Sequence, residues 1–247
     1  MLAKLRISLG AIVLAPLLVS NIVFVFLPYA ILNLCGIRRA AIWWRDRWLR
    51  FMSGAFFVCL GISYHVTGKE QLPPDGRICY IANHQSLLDL PAIFLAVRRE
   101  PGVIAKVEIR KVPIINWWCK VLDCVFIDRK SVRSSIKAIL DGVHQVEKGI
   151  PMLIFPEGTR SKNGKVAEFK AGSFNLATRS KATIVPIAIH GTRASLEARR
   201  KWHTHVYVAI GAPVSTASMS EGECKAVHTL VQDEVVGEHD KLVGLYG

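Results

Sequence analysis

The sequence predicts an α/β domain over residues 66–247, built on a mixed, mostly parallel sheet flanked by helices. A membrane-embedded helical unit over residues 1–65 is expected to precede it. Three observations lead there. From residue 78 onward, strand-like apolar runs alternate with helical periods, the pattern of a sheet built through crossover connections. Between residues 7 and 35 no side chain is charged. The stretch 67–77, with Pro73-Pro74-Asp75-Gly76, is polar and turn-forming and separates the two regimes.

The N-terminal run is long enough to cross a bilayer, which takes roughly 20 apolar residues. It is too long for a cleaved signal peptide, and no cleavage-site pattern follows it. Cations lie on both sides, however: residues 1–50 hold Lys4, Arg6, Arg38, Arg39, Arg45, Arg47 and Arg50 against Asp46 alone. A simple span should show a one-sided excess, so a helical hairpin or a segment that enters and leaves the same leaflet fits better. Trp43, Trp44 and Trp48 lie among those arginines, as expected of a helix at headgroup level.

In the second region, apolar runs mark strands at 78–82, 103–106, 125–128, 152–155, 183–189 and 205–210. Ile136, Ile139, Leu140, Val143 and Val146 share one helical face. Ser220 and Glu223 make a capping-box signature ahead of Val227, Leu230, Val231 and Val235, with Gly237 as the expected stop.

The net charge is +13, which raises the question of a nucleic-acid partner. No zinc-finger spacing or RNP-like aromatic motif is present, and no basic helix carries base-reading side chains. The positive charge lies instead beside apolar and Trp-rich segments, while residues 215–247 are acidic. Anionic lipid and phosphorylated substrates suit that distribution better, so no nucleic acid is expected. The six cysteines form no CxxC pair and read as reduced residues of a cytoplasm-facing protein.

Two polar islands carry the chemistry. Asn83-His84-Gln85-Ser86-Leu87-Leu88-Asp89 follows the strand at 78–82, and Phe155-Pro156-Glu157-Gly158-Thr159-Arg160-Ser161 follows the strand at 152–155. On one regular helix His84 and Asp89 would point about 140° apart, so they meet only if His84 precedes the helix that carries Asp89. Pro91 supports a helix start between Ser86 and Asp89, because proline is tolerated in the first turn. Asp89 can also cap that helix, and the two roles are compatible. Ser86 lacks a Gly-x-Ser-x-Gly elbow for a nucleophile. His65, His84 and His144 lack paired ligand spacing, so no metal is expected. Gly158 allows close backbone approach to a ligand, Arg160 can fork two hydrogen bonds onto a phosphate, and Glu157 can order that arginine or accept from a substrate hydroxyl. Lys106 and Arg129 also fall at predicted strand ends, where three cations would make an anion pocket.

These motifs resemble those of the glycerolipid acyltransferases, specifically the bacterial 1-acylglycerol-3-phosphate O-acyltransferases. NHQSLLD matches that family's NHxSxxD block. VFIDR (125–129), FPEGTRS (155–161) and IVPIAI (184–189) resemble its later blocks in the same order, and Lys170 and Gly172 match its FKxG element. The resemblance covers roughly residues 65–215. Two glycines expected from it read Asn116 and Asp123.

The resemblance implies acyl transfer from acyl-CoA or acyl-ACP, as co-substrate, to the sn-2 hydroxyl of lysophosphatidic acid, giving phosphatidic acid, with no other cofactor. It implies His84 and Asp89 as the catalytic pair, with Lys106, Arg129, Glu157, Gly158, Thr159 and Arg160 on the substrate. It also implies a monotopic or anchored protein on the phospholipid bilayer of the bacterial inner membrane, its active site facing the cytoplasm.

Overall fold

A computed structural model describes residues 20–128, 130–161, 163–197 and 204–246. The chain falls into two compact units, Met1–Ser63 and Tyr64–Gly247.

In the first unit a π-helical turn, Ile22–Phe26, leads into helix α1 (Leu27–Leu34), and helix α2 (Arg38–Cys59) runs back after a tight turn. Gly36, at φ +76°, makes the reversal with the left-handed backbone that glycine adopts without strain. The Trp44 indole donates to the Phe24 carbonyl at 2.7 Å, and the Trp48 ring stacks on Phe24. Much of the unit's large apolar surface is open, including Phe24, Leu27, Ile31, Leu34, Trp43 and Phe51, and the Arg47 guanidinium lies over the Trp43 ring.

Among the described residues no helix is long and apolar enough to cross a membrane. Of the uncharged run the described part, residues 20–35, is helical up to the turn at Gly36, and the returning helix carries Arg38, Arg39, Arg45, Asp46, Arg47 and Arg50. Residues 7–19 of that run lie outside the described residues.

The strands, which lie in the second unit apart from the first two residues of β1, are β1 (Ile62–Thr67), β2 (Ile78–Ala82), β3 (Gly102–Lys106), β4 (Val125–Ile127), β5 (Met152–Ile154), β6 (Thr183–His190), β7 (Thr204–Ile210) and β8 (Val214–Ser215). Their order is β1-β7-β6-β2-β5-β3-β4, with β8 beside β6. The run β6-β2-β5-β3-β4 is parallel, and β7 and β8 pair antiparallel with β6. This is the mixed, mostly parallel sheet the sequence predicts. The central β2 is buried along its whole length, as a strand covered on both faces should be. All five parallel strands end on one side of the sheet, so the loops after β2, β5, β3 and β4 gather there.

The remaining helices are α3 (Asp89–Ala96), α4 (Pro113–Val121), α5 (Val132–Glu147), α6 (Asn175–Arg179), α7 (Thr192–Glu197) and α8 (Glu221–Tyr246). Three sequence expectations fail here for local reasons. Helix α5 buries Ala138, Gly142 and Val146, whereas Ile136 and Leu140 are exposed. The small residues let it approach its neighbours: a Cβ on Gly142 would lie 2.2 Å from Leu176 Cδ1. Helix α8 does not stop at Gly237 but continues to Tyr246, because His239 and Leu242 extend the buried stripe of Val227, Val231 and Val235. Leu230 points outward from that stripe. A mid-helix glycine costs only about 1 kcal/mol, which burial of that stripe outweighs. The capping box is present, with Glu223 Oε2 accepting from both the amide and the hydroxyl of Ser220 at 2.7 Å.

Asp123 stands in the left-handed region at φ +55°, at a position where the family resemblance expects glycine. Aspartate tolerates this conformation at a cost of about 1 kcal/mol. The Asp123→Gly variant is therefore expected to match the parent chain or exceed it by up to about 1 kcal/mol in denaturant unfolding. A clear loss would show that the Asp123 side chain holds the turn.

Candidate active site

The loop after β2 and the loop after β5 form one polar centre. Asn83 extends the β2–β6 pairing past the end of the strand: its side-chain amide donates to the Ile189 carbonyl at 2.9 Å and its oxygen accepts from the Ile189 amide at 2.7 Å. That fixes the exit direction of the chain at His84. Helix α3 begins at Asp89, which leaves His84 in the preceding loop, and the chain folds back so that His84 Nδ1 lies 2.6 Å from Asp89 Oδ2. A neutral His84 with its proton on Nδ1 donates along this contact, leaving Nε2 as acceptor.

Asp89 is fully buried, and an ionised carboxylate there needs partners for its lone pairs. Oδ2 also accepts from the backbone amides of Gln85 (2.7 Å) and Ser86 (2.9 Å). Oδ1 accepts from the Thr192 hydroxyl at 2.5 Å. The position of Asp89 in the first turn of α3 adds the favourable end of the helix dipole. Capping of the helix and the contact with the His84 ring thus coexist in one carboxylate.

The His84 ring stacks on Phe155 with centroids 4.2 Å apart, and its side chain is 21% exposed. Its backbone is tied to the second loop twice. The His84 amide donates to Glu157 Oε1 at 2.7 Å, and the Ser161 amide donates to the His84 carbonyl at 2.8 Å. The other Glu157 oxygen accepts from the Ala167 amide at 3.0 Å. Burial pushes the Glu157 carboxyl above the usual carboxylate range, partly offset by these two amides. The residue is 4% exposed, and both carboxylate oxygens are met by backbone amides.

Among the expected anion-binding residues, Thr159 and Arg160 are exposed beyond the end of β5. Gly158, at φ +73°, has Lys170 packed against it, with Nζ 3.0 Å from where a Cβ would be. Lys106 closes β3 and pairs with Glu108 at 2.9 Å. Strand β3 is two places from β2 in the sheet, roughly 10 Å at the usual strand spacing. Arg129 lies outside the described residues. Among those described, no group of three or more His, Cys, Asp or Glu side chains is placed to hold a metal ion.

Some of the centre left no trace in the sequence. Thr192 starts α7, more than a hundred residues from Asp89. Gln85 donates to the Gly164 carbonyl at 3.2 Å and lies 3.2 Å from Nε2 of buried His239 on α8. Nearby, burial and His239 push the His190 imidazole below its ordinary range. Only the three-dimensional packing brings these groups together, so no local spacing could have announced them.

The acyltransferase family model matches residues 63–190, which contain both polar loops and strands β2 through β6. The chain belongs to the acyltransferase family. Among its relatives is a 1-acyl-sn-glycerol-3-phosphate acyltransferase of Chlamydomonas reinhardtii, 40% identical over 132 residues. That match spans 52% of this chain but only 40% of the algal protein. A protein of the same name from Borreliella burgdorferi is 28% identical, with 71% of each chain covered. The crystal structure of the 1-acyl-sn-glycerophosphate (LPA) acyltransferase PlsC from Thermotoga maritima superimposes with a TM-score of 0.77 and 29% identity, covering 97% of both chains. Family and fold are thus shared with proteins named as 1-acyl-sn-glycerol-3-phosphate acyltransferases.

Proposed function

We propose that the protein transfers an acyl chain from a thioester donor, acyl-CoA or acyl-ACP, to the sn-2 hydroxyl of 1-acylglycerol 3-phosphate, releasing phosphatidic acid and a free thiol. The observation that carries this reading is the His84–Asp89 contact at 2.6 Å, in a family whose relatives bear that activity in their names. His84 Nε2 takes the proton of the acceptor hydroxyl as its oxygen attacks the thioester carbon, and Asp89 stabilises the imidazolium that forms. When the C–S bond breaks, the imidazolium returns the proton to the departing thiolate. Arg160, with Arg129 and Lys106, holds the acceptor's phosphate and thereby positions its hydroxyl. Glu157 and Gly158 shape the loop that carries Thr159 and Arg160.

In this reading the N-terminal helical unit anchors the enzyme on the cytoplasmic leaflet of a bacterial inner membrane, where acceptor and product reside. Its open apolar side chains and the Arg47–Trp43 pair suit the boundary between headgroups and acyl chains.

A labelled acyl donor offered with a panel of acceptors tests the reading, and Arg160→Lys sharpens it. An ammonium cannot reproduce the two-pronged contact of a guanidinium with phosphate. Loss of a charged hydrogen bond worth about 1.5–3 kcal/mol should lower kcat/KM roughly 10- to 150-fold with 1-acylglycerol 3-phosphate, and far less with monoacylglycerol. Equal losses on both acceptors would remove Arg160 from the acceptor phosphate. Transfer to monoacylglycerol or glycerol 3-phosphate in preference to 1-acylglycerol 3-phosphate would overturn the substrate assignment.

A further inference from the structure

We infer that Thr192 is a positioning residue of the acid–base pair: its hydroxyl fixes the plane of the Asp89 carboxylate and through it the aim of His84. This rests on the acyl-transfer reading above and adds to it a residue from outside every recognised motif. Thr192 lies two residues beyond the stretch that the family model matches.

Torsion about the last bond of an aspartate side chain is broad and nearly two-fold, so nothing intrinsic to Asp89 sets the plane of its oxygens. Three donors converge on Oδ2: the His84 ring and the amides of Gln85 and Ser86. They hold one oxygen in place but leave the carboxylate free to swing about it. The Thr192 hydroxyl, 2.5 Å from Oδ1, removes that freedom. Its other neighbour, Gln85 Oε1 at 3.4 Å, is too distant to compete for the single proton. The carboxylate plane then decides whether a lone pair of Oδ2 points along the His84 Nδ1–H direction.

The hydroxyl is itself firmly placed. Thr192 is fully buried, and its β-branched side chain has few rotamers open to it. It follows Gly191, whose φ is +89° and where any Cβ would meet the His205 carbonyl oxygen at 2.2 Å. The turn between β6 and α7 thus requires glycine, and that turn delivers the threonine to Asp89. The Gly191 carbonyl accepts from the Ser195 amide at 3.0 Å, which ties the turn into the first coil of α7.

Three substitutions in the full-length enzyme test this, each with kcat and KM measured for donor and acceptor, beside a melting curve. Thr192→Val keeps the shape and removes the hydroxyl. Its kcat should fall roughly 10- to 150-fold, the range for losing a hydrogen bond to a charged group, while both KM values stay within about twofold of the parent. Thr192→Ser keeps the hydroxyl and should restore most of kcat. Thr192→Cys offers a weak donor of similar size and should resemble valine; if the valine variant does not fold, the serine–cysteine comparison alone decides.

Parental kcat in Thr192→Val or Thr192→Cys would overturn the inference. So would a serine variant as poor as valine, or a loss seen in KM and not in kcat. His84→Ala, run alongside, separates the two levels. If it is inactive while Thr192→Val is normal, only the role of Thr192 falls. If His84→Ala is itself active, the acid–base reading falls with it.

Discussion

His84→Ala is expected to abolish detectable acyl transfer while leaving the fold intact. The substitution removes the imidazole that, in the proposed mechanism, both accepts the hydroxyl proton and returns it to the thiolate, and loss of a general base costs about 10²–10⁴-fold. The side chain is partly exposed and stacks on one face of Phe155. The contacts that organise the loop use the His84 backbone, which alanine keeps. Asp89→Asn gives a graded comparison. Asparagine's oxygen can take the place of Oδ2, and its NH2 can donate to the Thr192 hydroxyl, which accepts as readily as it donates. Geometry and tautomer survive, and only the negative charge behind the imidazolium is lost. A charged contact is worth about 1.5–3 kcal/mol, so kcat should fall roughly 10- to 150-fold, less than in His84→Ala. A His84→Ala variant with near-parental turnover, its fold confirmed by circular dichroism, would sink the mechanism. Equal losses in both variants would mean that Asp89 does more than supply charge.

What the sequence made legible follows from where the physics is local. Buried parallel strands read as continuous apolar runs, so β2 through β6 stood close to their predicted places, as did the antiparallel β7, whose second half is buried. The edge strand β1 did not, because Tyr64 and His65 interrupt its apolar pattern. The two-residue β8 is too short to carry a period. The loop geometry of His84 and Asp89 was readable because helix periodicity forbids them to meet otherwise, and Pro91 fixes where the helix can start. The burial of α5 was not, since its contact face is chosen by small residues, Ala138 and Gly142, that hydrophobic patterning ignores. Glu157 shows the same limit at the site. Spacing marked it as polar and near a substrate, but only its contacts reveal that both oxygens face backbone amides. The groups that complete the centre, Thr192 and His239, belong to segments joined to the loop by tertiary packing alone.

Glu157→Gln is expected to damage both stability and turnover, although Asp89→Asn, the same chemical change, should spare the fold. The difference lies in the partners. One Asp89 oxygen faces a hydroxyl that can reverse its role, whereas both Glu157 oxygens face backbone N–H groups of His84 and Ala167, which can only donate. A glutamine has one acceptor oxygen, so its NH2 must point at one of those amides and leave a buried donor without a partner. Such a group costs about 1–3 kcal/mol, and the loss of a charged contact adds to it. Relief of the carboxylate's own burial penalty, which pushes its pKa up, subtracts from the total. A net loss of about 2 kcal/mol lowers Tm by roughly 4–8 °C in a chain of this size. If the unpaired amide is that of His84, the loop shifts beneath the imidazole, and a displacement of about 1 Å costs on the order of 10²-fold in rate. If it is that of Ala167, stability falls with a smaller effect on kcat. Thermal melts and steady-state kinetics on one preparation separate these cases. A Glu157→Gln protein that melts like the parent and differs only by a raised acceptor KM would place the carboxylate on the substrate and remove it from the framework under His84.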